Sequence, residues 1–245
     1  MGRTEDKKLI VALDVDNRGR AETLVEVLKE KVAAFKVGLE LFTAWGPWAV
    51  EMVKERGGRV FLDLKFHDIP HTVARATAQA CNLGVSMLDL HASGGREMMK
   101  AAVMTAKEVA RQQGKEPPLL LAVTVLTSLD RQMLQQELNI PCSLGEQVVH
   151  LARMAKEAGM DGVVASPQEI GPVRSACGQD FLIVTPGVRP TWASAGDQRR
   201  ILTPKEAVEA GADFLVIGRP ILSAPDPVEA AERILAEIQE DRKGH

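Results

Sequence analysis

The segment Phe61-Leu-Asp-Leu-Lys-Phe-His-Asp68 brings two carboxylates and an ammonium close together in Asp63, Lys65 and Asp68. In an extended chain, residues two apart point to the same face, so Asp63 and Lys65 project together and Leu64 projects to the other side. A lysine flanked by carboxylates inside a protein stays protonated, because neighbouring negative charge favours the ammonium against the cost of desolvation. Lys65 is thereby a pre-placed proton donor. Asp14 in LDVD, Lys36 in FKVG and His91 in LDLH stand at or near the ends of other short apolar runs. An ion-pair network that only holds the fold is the plainer reading of such charges. Burying several of them is a poor route to stability compared with apolar packing, which favours a functional cluster. His91 is read as an anchor for the Ser93-Gly94-Gly95 turn rather than as a catalytic group.

A second set of residues suits an anion. Thr185-Pro186-Gly187-Val188-Arg189-Pro190 and the run Gly211-Ala212-Asp213 through Gly218-Arg219-Pro220 combine glycine with arginine after apolar runs. Glycine lets backbone N–H groups approach a phosphate, and a short helix starting there adds its dipole. Gly218, Arg219 and Arg189 are the expected phosphate ligands, against the alternative of surface arginines beside tight turns. Neither GxGxxG nor GxxxxGK[ST] occurs, so no Rossmann dinucleotide site or P-loop is expected. His67 and His71 are four apart but straddle Pro70 near a helix start, and no metal site is expected from them.

The elements that must position these residues are short apolar runs alternating with amphipathic stretches, the pattern of repeated βα units. Eight strand candidates follow: Leu9–Asp14, Ala34–Gly38, Val60–Lys65, Met87–His91, Leu119–Val125, Gly162–Ala165, Phe181–Thr185 and Phe214–Ile217. Helical spacing marks Ala21–Leu28, Val73–Leu83, Leu144–Ala158 and Pro227–Ile238 among the stretches between and after them. Strands without a polar face are covered on both sides, and eight such units favour closure, so the expected fold is α/β, a single (β/α)8 TIM barrel over residues 1–245. The least patterned stretches, Thr127–Ser143 and Pro186–Arg200, read as loops at the catalytic face. Met98, Met99 and Met104 read as core filling, and Trp45 and Trp48 as packing.

Composition narrows the function classes. The 245 residues carry 30 Lys plus Arg against 33 Asp plus Glu, a net charge of −3, which predicts no general attraction to nucleic acid or an anionic membrane. The N-terminal run is broken by Asp14 and has neither a signal-peptide core nor a membrane-length stretch, so no membrane association is expected. Cys81, Cys142 and Cys177 are odd in number and far apart, reading as buried thiols of a reducing, cytoplasmic compartment.

With LDVD at Asp14, FKVG at Lys36, DLKFHDIPHTV from Asp63 to Val73, and TPGVRP, the chain resembles the orotidine 5′-phosphate decarboxylase family over almost its whole length. The D-x-K-x-x-D motif alone is shared with sugar-phosphate relatives that use Mg²⁺, whereas its combination with FHDIP is specific. The resemblance implies decarboxylation of orotidine 5′-phosphate to uridine 5′-phosphate, the last step of de novo UMP biosynthesis, with no cofactor. It implies a catalytic array of Lys36, Asp63 and Lys65, completed by Asp68 from the other subunit of a homodimer. It further implies that Asp14 and Lys36 hold ribose hydroxyls, that Thr72 of the partner reaches one, and that Thr127 and Gln198 contact pyrimidine or phosphate. Arg189, Gly218 and Arg219 would bind phosphate. Lys65 would donate the proton, and Asp63 would either disfavour the bound carboxylate or hold Lys65. A metal-dependent sugar-phosphate enzyme, a Schiff-base aldolase and a non-catalytic nucleotide-binding barrel are the competing readings.

Overall fold

Runs of Val, Ile, Leu and Phe without a polar face can lie only where both faces are covered. In a computed structural model that describes residues 7–193 and 202–239, eight such runs form a parallel sheet. The strands are β1 (Leu9–Ala12), β2 (Ala34–Gly38), β3 (Val60–Phe66), β4 (Met87–His91), β5 (Leu119–Val123), β6 (Gly162–Val164), β7 (Leu182–Pro186) and β8 (Phe214–Ile217). They pair in chain order, and β8 returns to β1 through Leu9↔Leu215 and Val11↔Ile217, closing the barrel. The eight expected strands all form, with ends displaced by no more than a residue or two.

The pleat divides the core in two. Ile10, Ala34, Phe61, Met87, Leu121, Val184 and Val216 pack together inside the barrel. Their alternate neighbours, among them Val11, Phe35, Leu62, Leu88, Ile183 and Leu215, pack against the surrounding helices. Helix Leu144–Glu157 begins with a capping box in which Ser143 and Glu146 satisfy each other's backbone N–H groups. Thr203 and Glu206 do the same at Pro204–Glu209. Helix Pro70–Leu83 starts three residues earlier than its apolar spacing suggests, because Pro70 suits a first helical turn whose N–H groups have no partner. Arg18 lies over Trp48 at 4.4 Å and Trp45 at 5.7 Å, tying the first helix to the pair that follows β2.

Several local expectations need correction. The stretch 127–143 is not wholly a loop: it contains helix Arg131–Gln136, started by Asp130 accepting from the Met133 N–H at 2.9 Å and pinned by buried Leu134. Six residues are too few to show a period in the sequence. Met98 and Met99 are fully buried, whereas Met104 lies on the outer face of the same helix and is 71% exposed. Cys81 and Cys177 are buried but Cys142 is only partly so. Among the described residues no helix is long and apolar enough to cross a membrane.

Candidate active site

The site grows out of an irregularity in β3. Phe61 and Leu62 pair regularly with Met87 and Leu88, but the next pairing is Phe66 with Leu90, so β3 carries two more residues than β4 across the same span. Lys65 takes up the slack with φ +50°, a left-handed conformation that is rare for a side-chain-bearing residue and costs about 1–3 kcal/mol. Its freed N–H donates to Asp89 Oδ1 at 2.9 Å. Asp63 and Lys65 thus reach the same face as expected, but through a bulge that folds the lysine back onto the carboxylate. Leu64 packs on the helix side.

At the C-terminal ends of the strands, charged side chains replace the apolar interior. Lys36 Nζ lies 3.2 Å from Asp14 Oδ1 and 3.1 Å from Asp63 Oδ2. Lys65 Nζ pairs with Asp63 Oδ1. The result is an alternating row, Asp14, Lys36, Asp63, Lys65, drawn from β3, β2 and the turn after β1. Gly38 makes room for it, since a Cβ there would sit 2.8 Å from Lys36 Nζ.

Burial opposes charge on Lys36, but the Asp63 charge and then Asp14 outweigh it and raise its pKa. Burial likewise works against ionised Asp63. Lys36, a hydrogen bond from Asp89 and then Lys65 overcome it and bring the carboxyl down to about 2. Asp89 behaves oppositely: burial first, then the charge of Asp63, push it well above the usual carboxylate range, with Lys65 only partly offsetting them. His91 is lowered by burial and then by His67 and Lys65. Its ring lies 5.2 Å from that of His67, and among the described residues it makes no hydrogen bond to the turn it was expected to anchor.

Lys36, Asp63, Lys65 and Asp89 line a cavity of about 220 Å³ whose remaining wall is largely apolar, including Phe61, Val123, Val164 and Val216. Thr127 stands at its edge. A second concavity at the same end holds Arg189, which is buried, and Arg219, which is exposed, along with Trp192 and Arg233. Gly218 directly precedes the short helix Arg219–Leu222. Asp68 is exposed and accepts from the Ile69 N–H at 2.7 Å, so it stays outside the charged row of its own chain. Thr72 is also exposed, on the first turn of helix Pro70–Leu83. Gln198 lies outside the described residues.

Asp89 is the site residue that the motif reasoning misses. The available signal was the strand period: Met87, Asp89 and His91 share one face, and Met87 packs in the barrel interior.

The model of the Orotidine 5'-phosphate decarboxylase / HUMPS family matches residues 7–234. The orotidine 5′-phosphate decarboxylase of Moorella thermoacetica is 57% identical over 232 residues, covering 95% of this chain and 92% of that protein. That of Trichlorobacter lovleyi is 58% identical over 240 residues, covering 97% and 98%. The crystal structure of orotidine 5′-phosphate decarboxylase from Lactobacillus acidophilus superposes with a TM-score of 0.83 at 40% identity, covering 95% of this chain and 99% of that one. A family match over nearly the whole chain, joined to a closed barrel with its charged row at the C-terminal face, leads to one conclusion: this chain belongs to the orotidine 5′-phosphate decarboxylase / HUMPS family.

Proposed function

We propose that the chain decarboxylates orotidine 5′-phosphate to uridine 5′-phosphate in pyrimidine biosynthesis, without a cofactor and with Lys65 as proton donor. The observation that carries this reading is the Lys65–Asp63 pair at the mouth of a small apolar cavity. Breaking the bond from C6 to the carboxylate leaves an electron pair on C6 that the ring delocalises poorly. A fixed ammonium beside C6 offsets that charge, and more strongly where apolar walls exclude water. The ammonium then gives a proton to C6, and the neutral amine regains one from solvent. In this reading Asp63, whose ionisation is held by two lysines, is close to the departing carboxylate and either disfavours the bound carboxylate or holds Lys65 in place. Both of its oxygens are engaged by ammonium groups, a donor arrangement that suits a metal-free site better than one built around a divalent cation.

The remaining assignments are those that the family resemblance implies. Asp14 and Lys36, paired with each other, hold the ribose hydroxyls, and Thr127, which lines the cavity, contacts the pyrimidine or phosphate. Arg189, Gly218 and Arg219 take the phosphate, whose binding energy can be spent on ordering the reacting end. Gln198 is assigned to the same ligand from the sequence alone. Asp68 and Thr72 act in the partner's site of a homodimer, a reading supported by their exposure beside Ile69, itself 66% exposed. Three free thiols fit a cytoplasmic address.

The test is the loss of orotidine 5′-phosphate absorbance with wild-type protein and Lys65→Ala in excess EDTA. Conversion by wild type and near silence from a folded Lys65→Ala are expected. No conversion by folded wild type would overturn the reading in favour of metal-dependent sugar-phosphate chemistry.

A further inference from the structure

Asp89 is 1% exposed, belongs to no recognised motif, and touches both members of the reacting pair. Its Oδ1 accepts the Lys65 N–H, while its Oδ2 is buried and meets no donor. An ionised carboxylate with an orphaned buried oxygen is a costly arrangement. A protonated acid removes the difficulty, because the O–H can then donate to Asp63. The surroundings agree. Asp63 and Lys65 face Asp89 from β3, Lys36 lines the same cavity from β2, and His91 follows on its own strand. On the other side its pairing partner is apolar Leu121 on β5.

We propose that Asp89 is a positioning residue carried as a neutral carboxylic acid, holding the Lys65 backbone through one oxygen and the Asp63 carboxylate through its own proton. It thereby fixes the bulge that aims Lys65 and keeps Asp63 oriented between the two lysines. A neutral acid can do both, whereas an ionised one would set a second negative charge against Asp63. The assignment deepens the decarboxylase reading, and its catalytic arm rests on that reading.

Two variants and two measurements independent of activity test it. Asp89→Asn keeps one acceptor and one donor without charge, so kcat should stay within a few-fold of wild type. Asp89→Leu keeps the approximate volume but neither hydrogen bond, and kcat should fall about 100-fold, the scale of an ångström misplacement, with a smaller change in KM. Asparagine rescue separates positioning from mere filling of space. Independently of activity, infrared difference spectra of wild type against Asp89→Asn should contain the carbonyl band of a protonated acid at neutral pH. Asp89→Asn should also be more stable than wild type by an amount that grows as pH rises above the ordinary carboxylate range. A folded-state pKa that is raised supplies stability at low pH that is lost as pH rises, and asparagine has none to lose. Loss of activity in Asp89→Asn matching that in Asp89→Leu, full activity in both, or absence of the acid band would overturn the proposal. An acid band in a wild type that does not decarboxylate would instead leave the positioning geometry standing and sink the assigned reaction.

Discussion

Asp63→Asn removes the charge between two ammonium groups while keeping the shape of the side chain. In the folded protein the Asp63 carboxyl drops from an ordinary 3.8 to about 2 despite burial, because Lys36, the Asp89 hydrogen bond and Lys65 favour its ionised form. That gap corresponds to about 2–3 kcal/mol of stability at neutral pH. Asp63 is 8% exposed, so solvent screening removes little of it. The variant should therefore melt roughly 5–10 °C below wild type at pH 7, given the entropy of unfolding of a domain this size. Because the folded-state pKa is depressed, this contribution is complete above pH 4 and disappears as pH falls toward 2. The difference in melting temperature should shrink over that window. Asp89 does not take over the charge, because burial, the first cause of its raised pKa, is left unchanged by the substitution. The double variant Asp63→Asn/Asp89→Asn blocks that route and should melt no lower than the single Asp63→Asn. Thermal melts from pH 7 to pH 3 provide the assay. An Asp63→Asn protein as stable as wild type at pH 7, or a deficit unchanged by pH, would refute the electrostatic argument.

Further consequences are open to direct measurement. If Asp68 completes the partner's site, Lys65→Ala and Asp68→Ala should each be nearly inactive alone, yet mixing and reassociating them should restore activity through one intact site per mixed dimer; titration of activity against mixing ratio checks it. Gly38→Ala should displace Lys36 Nζ, which a Cβ would approach to 2.8 Å, lowering kcat/KM by about 10-fold or more, while urea denaturation changes little because the group displaced is the tip of a flexible side chain. Arg219→Ala should weaken binding of the nucleotide by about 10- to 100-fold, the range of a hydrogen bond to a charged group, and leave binding of the unphosphorylated nucleoside almost untouched in calorimetry.

The barrel and its charged row were legible for a shared physical reason. Strands covered on both faces rarely carry a polar side, so Leu9–Ala12, Leu119–Val123 and Phe214–Ile217 stand out against amphipathic helices. The short helix Arg131–Gln136 escaped because its signal is one cap and one buried leucine. Within the site, Asp14, Lys36, Asp63 and Lys65 announce themselves as charges at strand ends, and all four meet in one row. Asp89 does not. It is a lone acid in an apolar strand, and its meaning depends on the two-residue bulge in β3 that presents the Lys65 N–H to it, a feature with no sequence signature. The barrel's inward parity supplies the link. Lys36, Asp63 and Asp89 each lie two residues beyond an apolar interior residue, Ala34, Phe61 and Met87 respectively. Each charged or acidic group thus occupies a position that would otherwise belong to the core, where an unpartnered charge is unfavourable. The ionised members of the layer, Lys36 and Asp63, are paired with opposite charge. Among the described residues Asp89 forms no ion pair, Lys65 being paired with Asp63, and in that setting the neutral form is the one that can share a wall with Asp63 while still holding Lys65.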